Sequence, residues 1–161
     1  MWFKAGIKVS ILDDRIMYNV RRGLYKYIGS GSSRDVFEMN NEYVIKVARN
    51  NAGIEQNKTE YKISNNKKYD IFAKVVYSSN NYKFIIMKKA KRIKQISDVW
   101  YYFNVSSKQQ FINLKLIKEI VNRYGLIIND LCRESSWGII NGRIKIIDYG
   151  FTRSVKEKYY S

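Results

Sequence analysis

Three side chains in this sequence could together handle a phosphate chain: Lys46, Asp130 and Asp148. Asp148 closes the apolar run Ile144-Lys145-Ile146-Ile147, and Gly150 follows two positions on. A strand that ends on a carboxylate, with a glycine to turn the backbone away, is one way to present a metal-binding Asp to phosphate oxygens. Asp130 lies in Leu126-Ile127-Ile128-Asn129-Asp130-Leu131. A hairpin between the two carboxylates would return the chain close to its start, so both could face one small cavity. Lys46 sits among Val44, Ile45, Val47 and Ala48, and a lysine inside a buried strand needs a paired charge. Glu60, fourteen residues on, is the candidate partner, and Glu55 is a second, less well spaced one. The plain alternative is a strand with one solvated face.

The loop Gly29-Ser30-Gly31-Ser32-Ser33 adds a phosphate cradle. Glycines let backbone approach phosphate oxygens closely, and successive N–H groups can donate to them. An ordinary Gly-Ser hairpin explains the same residues.

The positioning elements follow from periodicity. Phe3, Ala5, Ile7, Val9 and Ile11 alternate, as in a first strand or an N-terminal extension. Strands are predicted at Gly23 to Tyr27, Asp35 to Met39, Tyr43 to Ala48, Tyr69 to Tyr77 and Tyr82 to Met87. Turn signals stand at Asn40-Asn41 and over Ser78 to Asn81, and a helix is predicted over Ala52 to Ser64. The second half reads as helical at Val99 to Phe103. Gln109 to Tyr124 is a single amphipathic helix, striped by Leu114, Ile117, Val121 and Tyr124 and ended by Gly125. Gly138 to Ile146 is a hairpin turning at Asn141-Gly142. The class is α+β: a small antiparallel β lobe with one helix, then a reduced, mainly helical lobe carrying a β-hairpin. One domain over residues 1–161 is expected, its lobes at about 1–90 and 91–161, with the boundary near Lys89 to Ile96.

Composition excludes several chemistries. With no His, Ser-His-Asp and Cys-His catalysis and His-based zinc sites are out. One cysteine, Cys132, builds neither an intramolecular disulfide nor a metal cluster, so a reducing cytoplasm is the expected compartment. The N-terminal stretch is broken by Lys4 and Lys8, and no apolar run approaches the ~20 residues needed to span a bilayer, so no membrane role is expected. The net charge of +16 attracts polyanions such as nucleotides, nucleic acid or an acidic protein surface. The basic residues read as scattered, without long runs, which fits solubility equally well.

Taken in order, these pieces resemble the protein kinase signature set. Gly29 to Val36 is similar to the Gly-rich loop G-x-G-x-x-G-x-V, with Arg34 in place of the third glycine. The resemblance implies an ATP and Mg²⁺ site. In it Gly29, Ser30, Gly31, Ser32, Ser33 and Val36 form the cradle, beside Val44. Lys46 in Val44-Ile45-Lys46 would hold the α- and β-phosphates, with Glu60 as its ion-pair partner. Met87, Lys88 and Lys89, on to Ala90, would meet adenine. Asn129-Asp130-Leu131 resembles the end of H-R-D-L, which makes Asp130 the catalytic base. Asp148-Tyr149-Gly150 resembles D-F-G, which makes Asp148 the Mg²⁺ ligand. The eighteen residues from Asp130 to Asp148 suit that pattern. The loop and Gly53-Ile54-Glu55-Gln56-Asn57 also resemble small kinase-like proteins of phages, which would place the chain in a host cytoplasm.

The departures shape the expected function. Ile128 and Asn129 replace His and Arg, so no anchor for a phosphorylated activation loop is present. Ser135, five on from Asp130, stands where a second metal-binding Asn would be, and a hydroxyl is the poorer ligand. Phe151 to Ser161 contains no A-P-E segment and no helical substrate lobe. Two functions are therefore expected in competition. One is a minimal phosphotransferase moving the γ-phosphate of ATP to a protein Ser/Thr or Tyr hydroxyl of a substrate or host partner. The other is an inactive pseudokinase-type module that engages an acidic protein or nucleic acid through its basic surface.

Overall fold

The apolar runs Tyr43–Ala48 (β3) and Phe84–Lys88 (β5) are buried on both faces, which is why neither alternates with polar residues. The structure is a computed structural model that describes residues 2–161, with side chains from Ile11 onward. β3 and β5 pair antiparallel, Val44 opposite Met87, Ile45 opposite Ile86 and Lys46 opposite Ile85. With Lys26–Ser30 (β1), Arg34–Glu38 (β2) and Val75–Ser78 (β4) they form a five-stranded antiparallel sheet in the order β1-β2-β3-β5-β4.

One face of this sheet packs Ile45, Val47, Phe84 and Ile86 against Trp2–Arg21 (α1), which contributes Ile16, Met17 and Val20. The stretch from Phe3 to Ile11, expected as a first strand or an N-terminal extension, is thus part of a helix and not a strand. The spacing of Asp13, Ile16, Met17 and Val20 is helical, and it places the three apolar side chains on the sheet while Asp13 accepts a hydrogen bond from the Tyr77 hydroxyl at 2.5 Å. Burying Ile16 there is worth about 2 kcal/mol. Tyr25 and Tyr27 belong to different elements, since β1 begins only at Lys26 and runs through Ser30.

The other face carries Val44, Lys46, Ile85 and Met87, and it packs on Asn51–Ser64 (α2) and the second half of the chain. The side chain of Asn50 caps α2 by accepting from the Gly53 N–H. The predicted strand from Tyr69 is shortened to β4. Its upstream part instead clips the hairpin: Ala73 N–H donates to the Ile146 carbonyl and Ile146 N–H to the Ile71 carbonyl, each at 2.8 Å.

In the second half, Lys91–Arg92 (β6), Trp137–Ile140 (β7) and Arg143–Ile146 (β8) form a three-stranded sheet in that order. Asn141 and Gly142 turn the hairpin with φ of 51° and 74°, the paired positive values of a type I′ turn. Around it lie Ile96–Tyr102 (α3), Lys108–Ile112 (α4), Lys115–Tyr124 (α5), Ile128–Leu131 (α6) and Arg153–Tyr160 (α7). The single helix predicted over Gln109 to Tyr124 is corrected to α4 and α5. Asn113 ends the first by donating its side-chain amide to the Gln109 carbonyl at 2.8 Å, and Leu114 is extended at ψ 135°. The break lets Phe111 and the α5 residues Ile117 and Ile120 enter one core around Trp137. The α+β class stands as expected. No helix among the described residues is long and apolar enough to cross a membrane.

Candidate active site

Four ionisable side chains, from β2, β3, α2 and the segment after β8, meet under the five-stranded sheet. Lys46 on β3 points from the face that meets α2, and its ammonium lies 3.0 Å from both carboxylate oxygens of Glu60. Its third acceptor is the Ile147 carbonyl at 2.6 Å. Arg34, the first residue of β2, donates to Glu60 Oε1 and to Asp148 Oδ1, both at 2.9 Å, and to Asn57 Oδ1 at 3.1 Å. Glu60 Oε1 also receives the N–H groups of Tyr149 and Gly150 at 3.1 Å. Lys46 is therefore a paired buried cation, and the solvated-face alternative does not apply. Glu55 takes no part in the pairing.

Burial sets the electrostatics. Glu60 is 0% exposed, Arg34 5% and Lys46 6%. Burial alone would push the Glu60 carboxyl up, but the Arg34 guanidinium and then the Lys46 ammonium outweigh it and hold it at about 2. Burial pushes Lys46 down, with the Arg34 charge adding and Glu60 opposing. Arg34 stays firmly charged: burial opposes its charge, and Glu60 and Asp148 more than compensate.

Asp148 is the one member of the cluster open to solvent, its side chain 56% exposed. Arg34 holds Oδ1, and no hydrogen bond among the described residues engages Oδ2. Tyr149 anchors the backbone beside it, buried on Phe72 at 4.8 Å and donating its hydroxyl to the Ala73 carbonyl at 2.5 Å. Gly150 is required by packing rather than by a turn. A Cβ there would come within 2.6 Å of the Gln56 carbonyl oxygen of α2.

Asp130 sits on α6, which is fixed from both sides. Ser136 Oγ donates to the Asp130 carbonyl at 2.7 Å, and Trp137 Nε1 donates to the Leu131 carbonyl at 2.8 Å. Burial pushes the Asp130 carboxyl up against the pull of the Arg133 guanidinium, and the Asp148 charge adds to the rise. Arg133 Nη1 lies 3.8 Å away.

A cleft of about 1690 Å³ brings these groups together. Gly29, Ser30, Gly31 and Ser32 line it with Val36 and Val44 above Lys46. Met87, Lys88 and Lys89 line another wall, and Asp130, Ser135 and Asp148 a third. Ser33 and Glu60 do not line it: Glu60 lies beneath Lys46, and Ser33 is turned inward, its carbonyl accepting from Arg49 N–H at 2.9 Å. The N–H groups of Lys88 and Lys89 donate to the Lys74 and Glu42 carbonyls, so neither is free for a base.

Two residues escaped the sequence reading. Arg34 stood only as a substitute for a glycine, whereas it joins the loop end to Asp148. The signal was available in its charge beside a strand that also carries a buried Lys. Tyr160 on α7 hydrogen-bonds the hydroxyls of Ser32, at 3.0 Å, and Ser33, and lines the cleft. Nothing local marks it, because the contact spans most of the chain.

The donor set fits a divalent cation shared with phosphate oxygens. Among the described residues no group of three or more acidic, His or Cys side chains forms a closed cage. One anchored carboxylate with a free oxygen facing a cleft suits Mg²⁺, which keeps waters and takes phosphate ligands. Asp148 would hold it, with the exposed Ser135 hydroxyl on the same cleft.

No family model matches the chain, and no curated protein matches it. Solved structures similar to it include the streptomycin–ATP–APH(2″)-IIa ternary complex, at 19% identity and TM-score 0.47 over 86% of this chain and 70% of that one. The gentamicin–APH(2″)-IIa complex is similar at 19% identity and TM-score 0.48, covering 84% and 69%. ADP-bound aminoglycoside phosphotransferase APH(2″)-Ib is similar at 19% identity and TM-score 0.49, covering 86% and 70%.

Proposed function

We propose that the chain is a minimal kinase-like phosphotransferase that uses ATP and Mg²⁺ and passes the γ-phosphate to a hydroxyl of a protein. The observation that carries this reading is the cluster Arg34–Glu60–Lys46–Asp148 opening onto the cleft that also holds Asp130. Phosphoryl transfer asks for positioning and charge neutralisation more than for covalent chemistry. Gly29 to Ser32 roof the phosphates by close approach, the Gly31 N–H being already given to the Arg34 carbonyl at 2.9 Å, and the Lys46 and Arg34 charges lie beneath. Mg²⁺, when bound, neutralises the phosphate oxygens. Asp130 takes the proton of the acceptor hydroxyl as its oxygen bonds to the γ-phosphorus, the bond to the β-γ bridging oxygen breaks, and ADP leaves. The raised carboxyl of Asp130 suits a base.

One observation favours the non-catalytic reading. The Lys46 ammonium already has three acceptors within the protein, so it serves phosphate only through its field unless a contact is exchanged. Incubation with γ-labelled ATP and a host lysate separates the two. Wild type is expected to label protein. Asp130→Ala is expected to lose labelling while still binding a fluorescent ADP analogue, and Asp148→Ala to lose the Mg²⁺ dependence of binding. Labelling by Asp130→Ala at the wild-type rate would remove Asp130 from the mechanism. Nucleotide binding by wild type without labelling would support the binding module.

A further inference from the structure

Lys88 to Lys94 reads Lys-Lys-Ala-Lys-Arg-Ile-Lys, five basic residues in seven, and the whole segment lines the cleft. This is a denser run than the scattered pattern read from the sequence. Two of its charges are answered: Lys89 lies 3.1 Å from Glu38 and Lys88 3.7 Å from Glu42. Lys91, Arg92 and Lys94 are exposed, and none has a carboxylate at ion-pair distance among the described residues. Arg92 donates to the Ile28 carbonyl of β1 at 3.0 Å, which holds its guanidinium at the cleft mouth. Arg133, three residues after Asp130, adds an exposed cation beside the candidate base.

We propose that this edge docks an acidic polypeptide segment, and that the acceptor hydroxyl lies within such a segment. The second clause rests on the phosphotransfer reading; the first does not. A cation-lined wall repels a basic ligand, and Asp130 and Arg133 line the same cleft as the strip. Charge carries the choice of an acidic partner, and the backbone adds a little: among the described residues β6 is the outer strand of its sheet, and its two residues leave a short free edge for an extended chain while Lys91, Arg92 and Lys94 meet Asp or Glu side chains. Nucleic acid is the poorer fit, because its affinity grows with the number of phosphates neutralised and the strip has three cations, Lys91, Arg92 and Lys94, without a carboxylate at ion-pair distance among the described residues.

The test is fluorescence anisotropy with the full chain and labelled peptides without ATP. One peptide carries a central Ser flanked by Glu and Asp, its counterpart the same Ser flanked by Lys and Arg, and a single-stranded oligonucleotide is the third probe. The acidic peptide is expected to bind best. Lys91→Glu/Arg92→Glu/Lys94→Glu is expected to weaken it roughly tenfold or more, the sum of three partly exposed ion pairs. Lys62→Glu/Lys67→Glu/Lys118→Glu makes the same charge change away from the cleft and is expected to leave binding within about twofold of wild type, as distant surface charges are screened. Equal weakening by both triples, preference for the basic peptide, or tighter strip-dependent binding of the oligonucleotide would each overturn the docking strip. Thermal melts of both triples establish that they fold. The acidic peptide is then incubated with the full chain, γ-labelled ATP and Mg²⁺, and strip-dependent binding without phosphorylation of the peptide would sustain docking and count against phosphotransfer. Labelling of lysate protein without acidic-peptide binding would do the reverse.

Discussion

Glu60→Gln removes one charge and almost no volume from the buried cluster. Arg34 would then keep only Asp148, which is half in water, and Lys46 would keep no carboxylate at ion-pair distance among the described residues. The Glu60 carboxyl is held at about 2 against an ordinary 4.5, and at 1.36 kcal/mol per unit this stabilises the folded chain by about 3 kcal/mol at pH 7. Removing one partner of a buried ion pair costs about 3–5 kcal/mol in other proteins. The two agree on a loss of about 3 kcal/mol, a large share of the ~5–15 kcal/mol that holds an ordinary domain together. The sign fixes the pH window. Because the folded value is depressed, the stabilisation is fully present above the unfolded value and is lost as pH falls towards 2. Urea melts followed by tryptophan fluorescence, with Trp137 buried in the core, should show the full gap at pH 7, about 1 kcal/mol at pH 3 and nearly none at pH 2. A gap under about 1 kcal/mol at pH 7, or one that does not shrink in acid, would refute a cluster held by the Glu60 charge.

Further outcomes follow from the same geometry. The acidic limb of kcat/KM should lie above the ordinary Asp range, because burial raises Asp130 and a base must be deprotonated; Asp130→Asn should abolish the rate, and a limb at or below the ordinary range would remove burial as its cause. Arg34→Lys cannot reach Asn57, Glu60 and Asp148 together; nucleotide binding titrated against Mg²⁺ should need several-fold more metal, whereas an unchanged Mg²⁺ midpoint would show that Arg34 does not position Asp148. Gly150→Ala drives a methyl onto the Gln56 carbonyl of α2 and should cost about 1–3 kcal/mol in chemical denaturation.

What the sequence disclosed was what local pattern controls. β3 matches its predicted bounds, Tyr43 to Ala48, and the Asn141-Gly142 turn follows from residues that tolerate positive φ. The Lys46–Glu60 pair was legible because an apolar strand cannot hold a lone cation. The start of α1 suggests a strand because alternate positions from Phe3 to Ile11 are apolar, and the helical spacing appears only further on, at Ile16, Met17 and Val20 on the sheet. The α4–α5 break was hidden because both helices are apolar on a face that suits one long helix, and Asn113 looks like any surface residue. Arg34 showed only a charge next to the strand of Lys46, while its partners Glu60 and Asp148, like the Ser32 and Ser33 partners of Tyr160, lie far off in the chain where no window of sequence displays them.

Glu60 gathers Arg34 from the loop end, Lys46 from β3, and the N–H groups of Tyr149 and Gly150 beyond β8, all around a carboxylate with no exposed surface. α2 carries that carboxylate, so tilting α2 away would strand a buried charge and several donors at once. A resting form reached by swinging this helix outward is therefore several kcal/mol uphill. The cleft is built in its assembled state, and anything that opened it by moving α2 would have to supply several kcal/mol of its own binding energy.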